Sequence, residues 1–207
     1  MELYPTILDK VALAVESAKV AKEVTIDIEG FGEDLNFNLF CWKDAELRVV
    51  AQLSTQYMLD KEDRLERLIR AACILRQGWE ATAFTFVAEG YCSMDEDATR
   101  GRELAEVFVE TDAAVKECLS FTHIEGEDGL FVAVPYSYTP PRKVIFDEPL
   151  RYRGRTAFRD QRYPAALARA LALDVTSSYE DIDVDQDTFH KLLAFGLQDL
   201  GFMVNYR

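Results

Sequence analysis

Apolar positions recur every three or four residues across residues 5–22, where Leu8, Val11, Val15 and Ala18 fall on one face behind Pro5. That spacing predicts an amphipathic helix opened by the proline. The period then changes. In VTIDIEG, residues 24–30, Val24, Ile26 and Ile28 alternate with Thr25, Asp27 and Glu29, the period-two pattern of a half-buried strand. LNFNLFCW (35–42) and LRVVAQLS (47–54) read as a hairpin closed by KDAE. Residues 61–77 return to helical spacing through Leu65, Leu68, Ile69, Ala72 and Cys73, with Asp60 as cap. Asp63 with Arg67 and Glu66 with Arg70 stand four apart on the wet side.

ATAFTFVAEGYC (81–92) is β-branched and aromatic on both faces, as expected of a strand in the middle of a covered sheet. After the acidic loop MDEDATRG the pattern predicts a helix over 101–110 and a helical turn near 112–117. Strands follow at 118–124 and 130–138 around the turn GEDG, with a short strand at 143–147. Helices at 165–173, opened by Pro164, and at 187–200, ending near Gly201, complete the chain. The order predicts an α+β fold: a mostly antiparallel central sheet of about six or seven strands flanked by helices, with a C-terminal helical segment. The proline-containing stretch at 139–149 suggests a division into a sheet domain, 1–149, and a helical extension, 150–207, packed on it.

Composition narrows the class. With 207 residues, 49% of them hydrophobic, the chain can bury a full core. No long apolar run marks a membrane span and MELYPTILDK does not read as a leader, so a cytoplasmic protein is expected. Cys41, Cys73, Cys92 and Cys118 are scattered without a C-x-x-C pair and read as free, buried thiols rather than zinc ligands. A formal charge of −14 opposes binding to nucleic acid or to an anionic membrane and favours a cationic protein partner.

Several constellations bear on chemistry. Cys92 or Cys118 with His123 is the one conceivable thiol and base pair. His190 reads as a helix-face residue. No P-loop, G-x-G-x-x-G or G-x-S-x-G is present, and no cofactor is implied. In EDIDVDQD (180–187), acids stand at every second position, but Gln186 and Leu192 occupy the places where a calcium loop needs glycine and glutamate. Asp185 or Asp187 is therefore expected to cap the last helix. In a strand, Asp27 and Glu29 would share a face. TIDIEGFG resembles the D-x-E opening motif of the DEDD exonucleases. That resemblance implies a ribonuclease-H-like fold and a divalent-metal phosphodiesterase with Asp27 and Glu29 as metal ligands; a strand with one wet acidic face is the plainer reading.

The charge is unevenly placed. Between Arg142 and Arg162 seven bases face three acids, a local balance of +4, leaving −18 for the rest. Arg151, Tyr152, Arg153, Arg155, Phe158, Arg159 and Arg162 interleave forked donors with flat apolar rings, the residue types that dominate protein interfaces. The sequence accordingly points away from an enzyme and toward a binding or assembly protein acting through protein–protein contacts, with a protein partner or self-association at 151–163. An acidic inhibitor or regulator of a cationic partner is one form of it.

Overall fold

A computed structural model describes residues 3–29, 35–53, 61–95, 114–139, 143–153, 162–173 and 185–206. Among them are four helices, α1 (Ile7–Glu29), α2 (Lys61–Trp79), α3 (Arg162–Leu171) and α4 (Gln186–Asp199). Eight strands accompany them: β1 (Phe37–Lys43), β2 (Glu46–Leu53), β3 (Ala83–Ser93), β4 (Val115–Glu125), β5 (Asp128–Thr139), β6 (Lys143–Phe146), β7 (Leu150–Arg153) and β8 (Phe202–Tyr206). The strands form one sheet in the order β6-β5-β4-β3-β1-β2-β8, with β7 also on β5, and every pairing is antiparallel. The α+β class is as expected, and β3 is the central strand. None of the described helices is long and apolar enough to cross a membrane.

Alternation along the strands sends side chains to two faces. Phe37, Leu39 and Cys41 of β1 join Phe84, Phe86 and Ile124 beneath α2, α3 and α4, where Leu68, Leu75, Leu167, Leu197 and Phe202 fill one core. Phe40 and Trp42 point the other way and join Val87, Leu119, Phe121, Leu130 and Val132 beneath α1, which contributes Val11, Ala14, Val15 and Ala18. The sheet is thus the middle of three layers.

Local chemistry sets the helix ends. Thr6 and Asp9 form a reciprocal box at the start of α1: Asp9 N–H donates to Thr6 Oγ1 at 3.1 Å and Thr6 N–H to Asp9 Oδ2 at 3.0 Å. The cap is therefore Thr6, one residue beyond the proline. Asp185 caps α4 as anticipated, accepting from Thr188 N–H at 2.9 Å. Gly201, at φ 87°, turns the chain out of α4 into β8, a conformation a side chain would strain. The pairs Asp63–Arg67 and Glu66–Arg70 are present on α2.

Three expectations give way. Residues 24–29 continue α1 instead of forming a strand. Propagating an existing helix costs little per residue, whereas a strand there needs a free edge, and β1 is already paired with β2 and β3. Val115–Glu117 belong to β4, so no helical turn occupies them. Residues 202–206, read as the tail of a helical segment, return to the sheet as β8 beside β2. The expected helix at 101–110 and the Asp60 cap lie outside the described residues.

Candidate functional site

Among the described residues, four of the five buried polar side chains lie between α1 and the sheet. Lys10, Ala14, Ala18 and Lys22 follow one another at intervals of four on α1, and all four are buried. Residues so spaced form a row along a helix, and the two alanines bring that row close to the strands.

At the first end, Lys10 Nζ donates to Glu125 Oε2 at 2.7 Å. The same oxygen lies 3.3 Å from His123 Nε2, and His123 Nδ1 lies 2.8 Å from Thr85 Oγ1. Trp42 Nε1–H donates to that hydroxyl at 3.0 Å. Donor counting assigns the proton. Thr85 accepts from tryptophan and donates to Nδ1, which leaves Nε2–H to donate to Glu125, so a neutral imidazole satisfies every group. Burial lowers the His123 pKa against the pull of Glu125, in keeping with that neutral ring. Glu125 is held at about 2 by the hydrogen bond from His123 and by Lys10, against its partial burial.

At the second end, Lys22 Nζ lies 2.6 Å from Glu89 Oε1, with side chains only 2% and 6% exposed. Glu89 also accepts from Tyr136 O–H at 2.8 Å and from Leu35 N–H at 2.5 Å. Tyr136 presents its ring to the ammonium at 5.2 Å. Burial works against the charge on Lys22, but Glu89 outweighs it and the pKa is raised. Burial beside Glu89 pushes the Tyr136 phenol upward, so it remains a donor.

Hydroxyl, imidazole and carboxylate in a row have the order of a nucleophile, base and orienter. Here Thr85 and His123 are fully buried and the hydroxyl is committed to its neighbours at both ends. The arrangement holds charge and fixes geometry; it does not present an attacking oxygen to a substrate. A shallow cleft of about 180 Å³ between α2 and the end of α4 is lined by Asp63, Glu66, Arg67, Arg70, Asp199 and Leu200. Arg67 is engaged there with Asp63 and with the Leu200 carbonyl. Among the described residues no three His, Cys, Asp or Glu side chains are placed to hold a metal ion.

The residues singled out by sequence fall in different places. Asp27 and Glu29 lie on the last turns of α1, where positions two apart are about 200° apart around the axis. They do not share the face a strand would give them, and the likeness to the D-x-E exonuclease motif loses its strand. Cys118 and His123 project from opposite faces of β4, one toward Cys92 and Ala133, the other toward α1. The thiol and base pairing is therefore absent. All four cysteines are free, with Cys41, Cys92 and Cys118 buried and Cys73 half-buried. His190 is a helix-face residue as expected, bonded to the Gly78 carbonyl at 3.0 Å and stacked on Trp79.

The arginine-rich segment begins on the sheet. β7 lies along the outer edge of β5, with Arg151 exposed and Tyr152 tilted against Phe131 at 6.0 Å. Arg153 ends the strand and Arg162 opens α3. The Arg153 side chain, Arg155, Phe158 and Arg159 lie outside the described residues, as do Asp181 and Asp183.

Sequence reasoning missed Lys10, Lys22, Thr85, Glu89 and Glu125, and gave His123 the wrong partners. A signal existed: two lysines on the same four-residue row as Ala14 and Ala18, and one glutamate continuing the inward parity of Ala83, Thr85 and Val87. Set against known proteins, the chain matches no family model, no curated protein and no solved structure.

Proposed function

We propose that the protein is a non-enzymatic binding or assembly protein that acts by contact with another protein. The edge strand β7 begins its recognition surface and the segment through Arg162 continues it. The supporting observation is the placement of Arg151 and Tyr152, both exposed, on the outermost strand of an otherwise acidic molecule. A planar guanidinium beside an aromatic ring pairs with a carboxylate through two parallel hydrogen bonds, and lysine lacks that fork. The partner on this reading carries carboxylates at the contact, whatever the sign of the rest of its surface.

Chemical cross-linking in cells, followed by binding measurements with the purified partner, tests it. Arg151→Ala with Arg153→Ala and Arg155→Ala should weaken association by roughly 2 kcal/mol and leave the melting temperature nearly unchanged. Lysine at the same three positions should restore only part of the loss. Unchanged affinity in the triple alanine variant would remove this edge from the function.

A further inference from the structure

The two edges of the sheet are built differently. Beyond β5, four residues from Tyr136 back to Ala133 face five from Phe146 to Leu150, so the outer edge carries one extra residue between β6 and β7. Lys143 and Arg151 are exposed beside it. Bulges and cationic side chains are the devices that stop an edge strand from pairing with another chain. β8 has neither. Its ladder with β2 runs without a slip from Phe202 opposite Leu53 to Tyr206 opposite Val49, and FMVNY contains no charge, proline or glycine. Among the described residues no strand pairs with its other side. An exposed apolar side chain stands on the strand itself: Met203 is 52% exposed.

The geometry points to a second copy of this chain as the occupant of that edge, its β8 pairing antiparallel with the first across a twofold axis. Charge favours this occupant. Two copies each bearing −14 repel over most of their surfaces, and a contact between them needs a neutral meeting place; β8 supplies one on both sides at once. A cationic partner finds no carboxylate along this strand. Register agrees. Outward main-chain groups come from alternate residues, so paired residues must have the same parity. The one such pairing that uses all five positions sets Phe202 opposite Tyr206 of the second copy, Met203 opposite its Asn205, and Val204 opposite its Val204. Phe202 packs in the core beneath the helices and Val204 beside it, while Met203 is on the other face. Antiparallel pairing keeps each face continuous, and the β-branched pair at the axis suits a sheet. The contact closes by symmetry into a dimer and does not propagate. It uses the edge opposite to β7 and stands independently of the function proposed above.

Sedimentation and light scattering on the full chain should show, with rising concentration, a mass approaching twice 23.6 kDa. Met203→Asp, at an exposed position, should raise the dimer dissociation constant at least about tenfold while leaving the melting curve of the monomer in place. Val204→Cys should form a covalent dimer on mild oxidation, since directly opposed positions fit disulfide geometry, whereas the wild-type chain should not. Arg151→Ala should leave the dimer intact. A monomeric mass throughout overturns the inference. So does a dimer that Met203→Asp does not weaken and Val204→Cys does not trap, which would place self-association on another surface.

Discussion

The two faces of the sheet are closed by different physics. Under α2, α3 and α4 the contact is apolar: Leu68, Ala71, Ala72 and Leu75 of α2 meet Phe84, Leu197 and Phe202, and the one buried polar residue on that face among the described ones is Thr122. Under α1 the fully buried apolar residues of the helix are two valines and two alanines, with Ile7, Leu13 and Ala21 partly buried beside them, and Lys10, Lys22, Thr85 and His123 are buried in the same layer. Apolar burial is favourable but has little direction, so it holds a helix down without fixing how far it slides. Charge pairs are directional. Two of them twelve residues apart, about 18 Å along the axis, define where α1 sits on β3 and β4. The difference teaches that one helix layer is held chiefly by area and the other is located by chemistry.

The sharpest way to break that contrast is to remove one partner of the more buried pair. Lys22→Met leaves Glu89 buried beside Tyr136 without its cation, and should destabilise the fold by about 3–5 kcal/mol in denaturant unfolding. Adding Glu89→Leu should recover much of that loss. A double variant no better than the single would show that Glu89 matters for Leu35 and Tyr136 rather than for the lysine.

On the apolar face Leu75→Ala should cost about 3 kcal/mol through the cavity it leaves, and no second substitution of opposite charge should rescue it. The loss should be the same at pH 5 and pH 8, because the one ionisable side chain among the buried residues of that core is the Cys41 thiol, whose pKa burial pushes well upward. A pH-dependent loss would blur the distinction between the faces.

The smallest expected effect is the pH dependence of the α1 face. Glu125 has a folded pKa of about 2, below its unfolded value, so its stabilisation is present above roughly pH 4.5 and is lost as pH falls toward 2. His123, lowered by burial, is neutral in the fold while its unfolded form gains a proton below about pH 6.5, so stability also falls with pH from there down. His123→Gln should flatten the stability profile between pH 6.5 and 5, and Glu125→Gln should flatten it below 4.5. Profiles of unchanged slope would mean that neither group changes its ionisation on folding.

Much of the order of elements was legible because periodicity reports burial directly. Leu39 and Cys41 against Phe40 and Trp42, or the five buried positions from Ala83 to Val87, are written in the alternation of apolar residues. The cap at Asp185 was legible for the same local reason, since a side chain and an N–H three residues on suffice to make it. The α1 network was not. Lysine, glutamate and histidine read as solvated when taken alone, and each buried lysine depends on a carboxylate more than sixty residues away in the chain. The segments 24–29 and 202–206 make the same point in opposite directions: period-two residues became helix, and a supposed tail became strand.

By itself the sequence determined the class, the strands of the central sheet, the Asp185 cap, the free thiols and the uneven charge, because each depends on neighbours a few residues away. Tertiary structure alone decided which segment occupied each sheet edge, which carboxylate met each buried lysine, and that Asp27 and Glu29 would not share a face. The physical reason is that edges and charge partners are allotted by competition across the whole chain. A strand forms only where main-chain groups are left to pair, and a lysine is buried only where a carboxylate from another element is waiting.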